Sequence, residues 1–458
     1  MLNKFLSNAG ANVFSGVVTA AYQLGLTAIA AHTWQGRQFS VWALALSIAS
    51  ITALFGTNLA NVVTRRVVKV RHSIDTQSES SIIAAASRLE NQLGALALIC
   101  LTAAGLYINS RSTNAQADPQ YFLGVLFLLI FGNIWIVLTQ VKFGLYYSNE
   151  KNWPPAIILA SARIGAMAGM YLATRYGNES IIQAAAGIAV GAWLGRGLSG
   201  QLLAPPHHLK IDNESRPTVK DEYFKNIKIF SGFAIWSIGA LVIQYGIPPV
   251  ISVIAPNKFN AFYLASTLNM IAIGAISAAM SALLAPLSRW HARGDQSPLH
   301  RMILIGPAFC SISCVVVLTF AWFALQPLLT LWSSRAANID DIYPFLALLG
   351  FQTIIRTAAL GYSVSLAATA TTRQMSGAII VEVLISLCIA APLGRAYGPN
   401  FLLYGLILAG LASSIYTCLI GLSLDSTCTI SKKKGTGILL ASQAFACLLW
   451  FTVNHQSL

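Results

Sequence analysis

Stretches of about twenty apolar residues recur along this chain, and that repetition constrains its fold more than any motif. A bilayer core about 30 Å thick needs roughly 20 apolar residues in a helix rising 1.5 Å per residue. Lipid offers backbone N–H and C=O groups no partner, so each crossing segment must satisfy them internally, as a helix does. Thirteen such stretches are read at 11–31, 40–63, 83–108, 121–141, 154–173, 182–203, 228–247, 259–284, 301–324, 343–368, 376–394, 400–421 and 436–453. Hydrophobic residues make up 56% of the 458 residues and charged ones 10%, against about 25% charged in soluble domains. Ala28-Ile29-Ala30 resembles a signal-peptide cleavage site, but the apolar run before it is too long and twelve spans follow.

A net charge of +14 would point to nucleic acid in a soluble protein. Its distribution excludes that reading here. With the N-terminus placed in the cytoplasm, the non-cytoplasmic segments hold only Arg37, Arg111, Arg175, Lys258, Arg335 and Arg395. Apart from three arginines inside spans, every other Lys and Arg falls in cytoplasmic segments, including Arg65, Arg66, Lys142, Lys220 and Lys432-Lys433-Lys434. This asymmetry follows the positive-inside rule and fixes the orientation. Trp34, Trp42, Trp153, Trp332 and Tyr343 fall near span ends and read as interfacial anchors.

The longest polar stretch, 204–227, opens with Pro205-Pro206 and follows the sixth span, so it reads as a lobe boundary. The chain then divides into an N-terminal six-helix lobe (1–203), a cytoplasmic inter-lobe loop (204–227), a C-terminal six-helix lobe (228–422), and a basic loop with an extra span (423–458). The lobes repeat weakly. Phe14-Ser15-Gly16 opens the first span as Phe230-Ser231-Gly232 opens the seventh. Phe39 and Trp42 begin the second as Phe259 and Tyr263 begin the eighth. The expected fold is an all-α polytopic membrane protein: two six-helix bundles related by a pseudo-two-fold axis along the membrane normal around a central cavity, plus a thirteenth C-terminal helix.

Arg163 and Arg356 sit near the middle of their spans, and Arg196 lies in the sixth. Placing one guanidinium at the bilayer centre costs about 2.5–3.5 kcal/mol on insertion scales. That cost is tolerated where the charge faces a watery cavity or binds an anion. Arg356 shares a helical face with Gln352, Thr353 and Ser363. Asn12, Ser15, Thr19, Gln23 and Thr27 line one face of the first span; Ser47, Ser50, Thr57 and Asn61 line one of the second. These faces point inward, either bonding helices together or lining a hydrated lumen. Arg163, Arg356, Gln352, Gln23, Asn61 and Arg196 are the candidate ligands of an anionic substrate. Arg196 also has a reading in which it snorkels to headgroups. Glu382 is taken as the one acid well inside a span. It would carry a coupling proton, pair with an arginine, or reach headgroups.

The remaining signals are plain. Six cysteines fall within spans as small apolar groups, and neither spacing nor motif points to a metal or a cofactor. Gly187, Gly191 and Gly195 repeat every four residues and read as a close-packing ridge. No Walker lysine loop, GxSxG elbow or HExxH occurs, and loops outside the spans are too short for a catalytic domain. No enzyme activity and no catalytic residue is expected.

Phe14-Ser-Gly16, Gln38-Phe-Ser-Val-Trp-Ala-Leu-Ala-Leu-Ser47 and Thr64-Arg-Arg66 resemble the opening of polysaccharide (O-antigen or exopolysaccharide) flippases of the multidrug/oligosaccharidyl-lipid/polysaccharide (MOP) superfamily. Phe262-Tyr-Leu-Ala265, Leu284-Ala-Pro286 with Arg289, Gly294-Asp295 and Leu328-Leu-Thr-Leu-Trp332 repeat the resemblance in the second lobe, over about residues 5–425 in all. The chain departs from that pattern at Trp34-Gln-Gly-Arg37, at Ser333 after Trp332, and in its thirteenth span. The resemblance implies alternating-access transfer of a polyprenyl-diphosphate-linked oligosaccharide across a bacterial inner membrane. Arg163 and Arg356 would then grip the diphosphate, which arginine forks bind well. It further implies membrane lipid, a coupling ion (H+ or Na+) and a glycan polymerase or export machinery as partners. A cation-coupled drug or metabolite exporter of the same superfamily competes with this reading. Acids expected in its first or seventh helix are absent. A membrane glycosyltransferase or polymerase would need a large external loop, and a passive scaffold leaves the arginines unexplained.

Overall fold

The computed structural model describes residues 2–72, 79–111, 117–202, 222–227, 246–281, 297–331, 338–369, 372–424 and 432–455, together with residues 230, 283, 286, 287 and 290. Most of the seventh predicted span and most of the predicted inter-lobe loop, with His207 and His208, lie outside them. So do Trp332, Ser333 and the Gly294-Asp295 pair.

Every described regular element is a helix, and eleven helices are long and apolar enough to cross a membrane. The protein is an all-α polytopic membrane protein. These eleven correspond to all the predicted spans except the second and the seventh. The second is two helices, α2 (Gly36–Ser50) and α3 (Thr52–His72), separated at Ile51. The Ser50 hydroxyl donates to the Leu46 carbonyl at 2.7 Å, and Ile51 N–H reaches back only three residues, to Ile48 O. A side chain bonding its own helix's carbonyl bends the ladder, so an apolar run that looks continuous is broken.

The chain forms two compact units. The first holds Met1–Tyr22, Leu44–Arg111 and Gln116–Tyr245. Besides the first part of α1 (Leu2–Thr33) it contains α3, α4 (Glu79–Arg111), α5 (Pro119–Val137), α6 (Gln140–Ser148), α7 (Trp153–Tyr176) and α8 (Ile181–Leu202). Its tightest seam is α7 on α8. A Cβ added at Gly165 would lie 2.2 Å from Gly191 O, at Gly169 2.0 Å from Gly187 O, and at Gly195 2.1 Å from Ser161 O. The glycine ridge is therefore a backbone-to-backbone contact, where lipid-embedded helices gain dispersion energy without a hydrophobic effect.

The second unit holds Gln23–Ala43 and Gly246–Leu458. Its elements are α9 (Ile247–Ile254), α10 (Phe259–Ser281), α11 (Ser297–Leu331), α12 (Ile339–Ala358), α13 (Leu360–Thr369), α14 (Thr372–Ile385), a π-helical turn (Ser386–Ala390), α15 (Ala391–Tyr397), α16 (Pro399–Leu424) and α17 (Lys432–His455). Residues 36–43 pack on α10 through Phe39 against Tyr263 (ring centroids 5.9 Å apart) and the Ser40 hydroxyl on Asn260 (2.9 Å). Trp34 and Trp42, expected as interfacial anchors, are 1% and 0% exposed. Their rings lie against each other at 5.1 Å, so they serve as packing inside the protein.

α11 displays the inside-out pattern of a lipid-facing helix. Ile305, Phe309, Ile312, Val316, Phe320 and Phe323 are exposed at helical spacing, while Cys310, Cys314, Leu318 and Trp322 are buried. α17, which corresponds to the thirteenth predicted span, is built into this unit. Trp450 fills the space over Gly350, donates its indole N–H to Ala347 O at 3.0 Å and meets Trp322 edge-on. Leu439 joins Ala358, Tyr362, Cys418 and Leu422 in one buried cluster.

Candidate functional site: polar groups within the membrane helices

In the first unit a polar seam joins α1 to α7. The Trp153 indole donates to Ser7 Oγ at 3.0 Å, and Asn152 Nδ2 donates to Asn12 Oδ1 at 3.1 Å. Three residues further along α1, Arg163 Nη1 donates to Ser15 O at 3.3 Å, a carbonyl that also accepts from the Thr19 hydroxyl at 2.6 Å. Arg163 is half-buried, as is Asn61 on α3. Of the polar residues expected on one face of the first span, Asn12 bonds α7 through its side chain and Ser15 through its backbone carbonyl, while the Thr19 hydroxyl bonds its own helix. Gln23, the next of them, is half-buried and belongs to the second unit.

Arg196 has different company. Its guanidinium lies 5.0 Å from the Trp193 ring centroid, and its charge interacts with Glu90 and Lys142. Glu90 corrects the expectation that Glu382 is the one acid well inside a span. It lies on α4 and is 8% exposed. Its carboxylate accepts the Val141 N–H at 2.8 Å, capping the start of α6 after the break at Leu138–Thr139. Thr139 and Gln140 side chains take up the carbonyls of Trp135 and Ile136 at that same break. The sequence signal was visible: an acid eight residues into an apolar stretch.

In the second unit the predicted residues do converge. Arg356 Nε lies 2.9 Å from Glu382 Oε1, with side chains 17% and 3% exposed. Of the three readings of Glu382, pairing with an arginine is the arrangement present. The contact is an ion pair rather than an aligned hydrogen bond. Gln352, one turn before Arg356, is buried with its Nε2 unbonded. Beside it Thr353 donates to Asn269 Oδ1 of α10 at 2.7 Å. Asn269 and Gln443 of α17 were not singled out in the sequence because single amides in apolar helices carry no spacing signal.

Two further features lie at the ends of the first unit's helices. Arg66 is clamped by the Glu222 carboxylate and Asn226, and Asn226 in turn bonds Ile82 O at 3.2 Å. Arg88 lies 5.5 Å from the Tyr223 ring. Residues 222–227 are therefore docked on α3 and α4. Arg65 keeps one buried guanidinium nitrogen without a hydrogen-bond partner, and burial together with neighbouring Arg66 pushes its pKa down to about 10.

No protein-family model matches this chain, and no curated protein matches it. Solved structures do. A Vibrio cholerae MATE transporter, VcmN, aligns with a TM-score of 0.68 at 11% identity, over 93% of this chain and 97% of that one. A MOP-superfamily transporter from Pyrococcus furiosus, described as having a binding pocket of reverse polarity that suggests a different function, gives 0.69 at 12% over 97% and 96%. An outward-facing multidrug-resistance MATE transporter of the MOP superfamily gives 0.68 at 12% over 97% and 96%. This chain has the MATE-transporter fold. At such identities the likeness concerns the fold.

Proposed function

We propose that this protein is a MOP-superfamily exporter that flips a polyprenyl-diphosphate-linked oligosaccharide across a bacterial inner membrane by alternating access, with its N-terminus in the cytoplasm. The observation that carries the reading is the presence of three arginines, Arg163, Arg196 and Arg356, within membrane-length helices of a transporter fold. A drug cation gains nothing from guanidinium groups at membrane depth, whereas a diphosphate gains charge-assisted, bidentate hydrogen bonds. In this reading Arg163 and Arg356 hold the diphosphate, Arg196, Gln23, Asn61 and Gln352 supply further polar contacts, and Glu382 carries the coupling proton. The sequence resemblance to polysaccharide flippases supports the same substrate. The protein has no catalytic role in this account, and a glycan polymerase or export machinery would consume its product.

Complementation of a flippase-deficient strain tests the proposal. The wild-type chain restores surface polysaccharide, and R163A and the double variant R356M/E382M, which strands no buried charge, do not when present in the membrane at normal level. Full complementation by both variants would overturn the assignment of those arginines. Export of small drugs keeps a place as a second reading because the similar solved structures are MATE transporters. Drug resistance conferred on a sensitised strain, with no effect on surface glycan, would select it.

A further inference from the structure

The break between α12 and α13 lies three residues after Arg356, and what repairs it comes from elsewhere in the unit. Ala359 N–H donates to Arg356 O at 3.2 Å, an i→i−3 bond. The carbonyl of Ile355 is left to two side chains: the Ser414 hydroxyl of α16 at 3.0 Å and Gln443 Nε2 of α17 at 2.9 Å. All three partners are buried. At membrane depth an unpaired carbonyl costs several kcal/mol, so these two donors fix the orientation of the peptide that joins Ile355 to Arg356. Gly410 of α16 completes the arrangement, since a Cβ there would lie 3.2 Å from Arg356 Cγ.

We propose that α17 is a brace for the Arg356–Glu382 pair and that Gln443 is its positioning residue. Gln443 bonds the Ile355 carbonyl through Nε2, and its Oε1 bonds neither charged side chain. It holds the backbone from which Arg356 projects, and the ion pair at 2.9 Å forms because that backbone is held. The C-terminal helix α17 thereby tunes an intramembrane charge pair, whatever cargo the protein carries.

The test is a triple-mutant cycle on thermal unfolding of the purified protein in lipid nanodiscs, which needs no transport assay. R356M, E382Q and the double variant give the coupling of the pair, first in the wild-type background and then with Q443M, which keeps the side-chain volume and removes the donor. The coupling should fall by at least half in the Q443M background. S414A, a milder change at the same carbonyl, should reduce it in the same direction, and it serves if Q443M does not fold. W450F, which loses the indole bond to Ala347 O elsewhere on α17, should lower Tm equally in all four backgrounds. If Q443M and S414A likewise shift Tm by the same amount in every background, Gln443 is packing alone and the proposal fails.

Discussion

Arg163 and Arg356 are the same residue at comparable depth in predicted spans, yet their surroundings treat the charge differently. In the first unit Arg163 donates to the Ser15 carbonyl, a contact that orients the guanidinium against α1. In the second unit Arg356 faces the Glu382 carboxylate, and the two together make a nearly neutral buried pair. The lesson is that charge at membrane depth can be handled by a dipole or by a counter-ion, with separate consequences. A dipole orients the cation through a single neutral acceptor. A counter-ion makes the cation part of the scaffold until something displaces the partner.

The largest effect should come from breaking the pair. Removing one partner of a buried ion pair costs about 3–5 kcal/mol, because the other charge is stranded. E382A should therefore lower Tm sharply and leave little monodisperse protein on size exclusion. The double variant R356M/E382M should recover most of that loss, since apolar replacements of a buried pair are often neutral or better. Equal Tm for E382A and wild type would show that the pair contributes nothing.

Next in size is the seam that stabilises the first unit without charge. G191V would force a side chain into the Gly165 carbonyl, where even a Cβ would come within 2.0 Å. Overpacking of that kind costs about 1–3 kcal/mol, more where only backbone faces it. Thermal unfolding of G191V should lie clearly below wild type and below R163A. The reverse order would mean that Arg163 is structural.

R163A itself should cost less than G191V, since truncating a half-buried side chain forces no atoms into a packed backbone, while abolishing complementation. Smallest of all is K258A. Its partner Asp341 is 41% exposed and Lys258 48%, and exposed pairs contribute about 0–1 kcal/mol. Melting of K258A should be indistinguishable from wild type, and a large loss would upset the ranking by burial.

Most of the fold was readable in the sequence because membrane helices announce themselves by composition over twenty residues. The failures have physical causes. The break at Ile51 is one backbone bond shortened to i→i−3 beside the Ser50 hydroxyl, which no apolar average registers. Trp34 and Trp42 sit at span ends, as lipid-anchoring tryptophans do, and only packing distinguishes the two roles. Glu90 was passed over, though an acid in an apolar stretch needs a partner and finds one in the N–H groups at the start of α6. Of the candidate site, Arg356 with Glu382 was legible as one of several pairings, because two opposite charges in neighbouring spans are costly apart. That Gln443 and Ser414 meet on one carbonyl was not legible, since a helix break sets that meeting and the chain separates them by 29 residues.

The most direct measurement is binding of a polyprenyl-diphosphate-linked oligosaccharide to the purified protein in nanodiscs, for wild type, R163A and R163K. The account predicts that R163A binds at least about tenfold more weakly, as loss of a charge-assisted contact requires. R163K should be intermediate, because an ammonium keeps the charge and loses the fork. Binding by R163A equal to wild type, at equal folded protein, would contradict it.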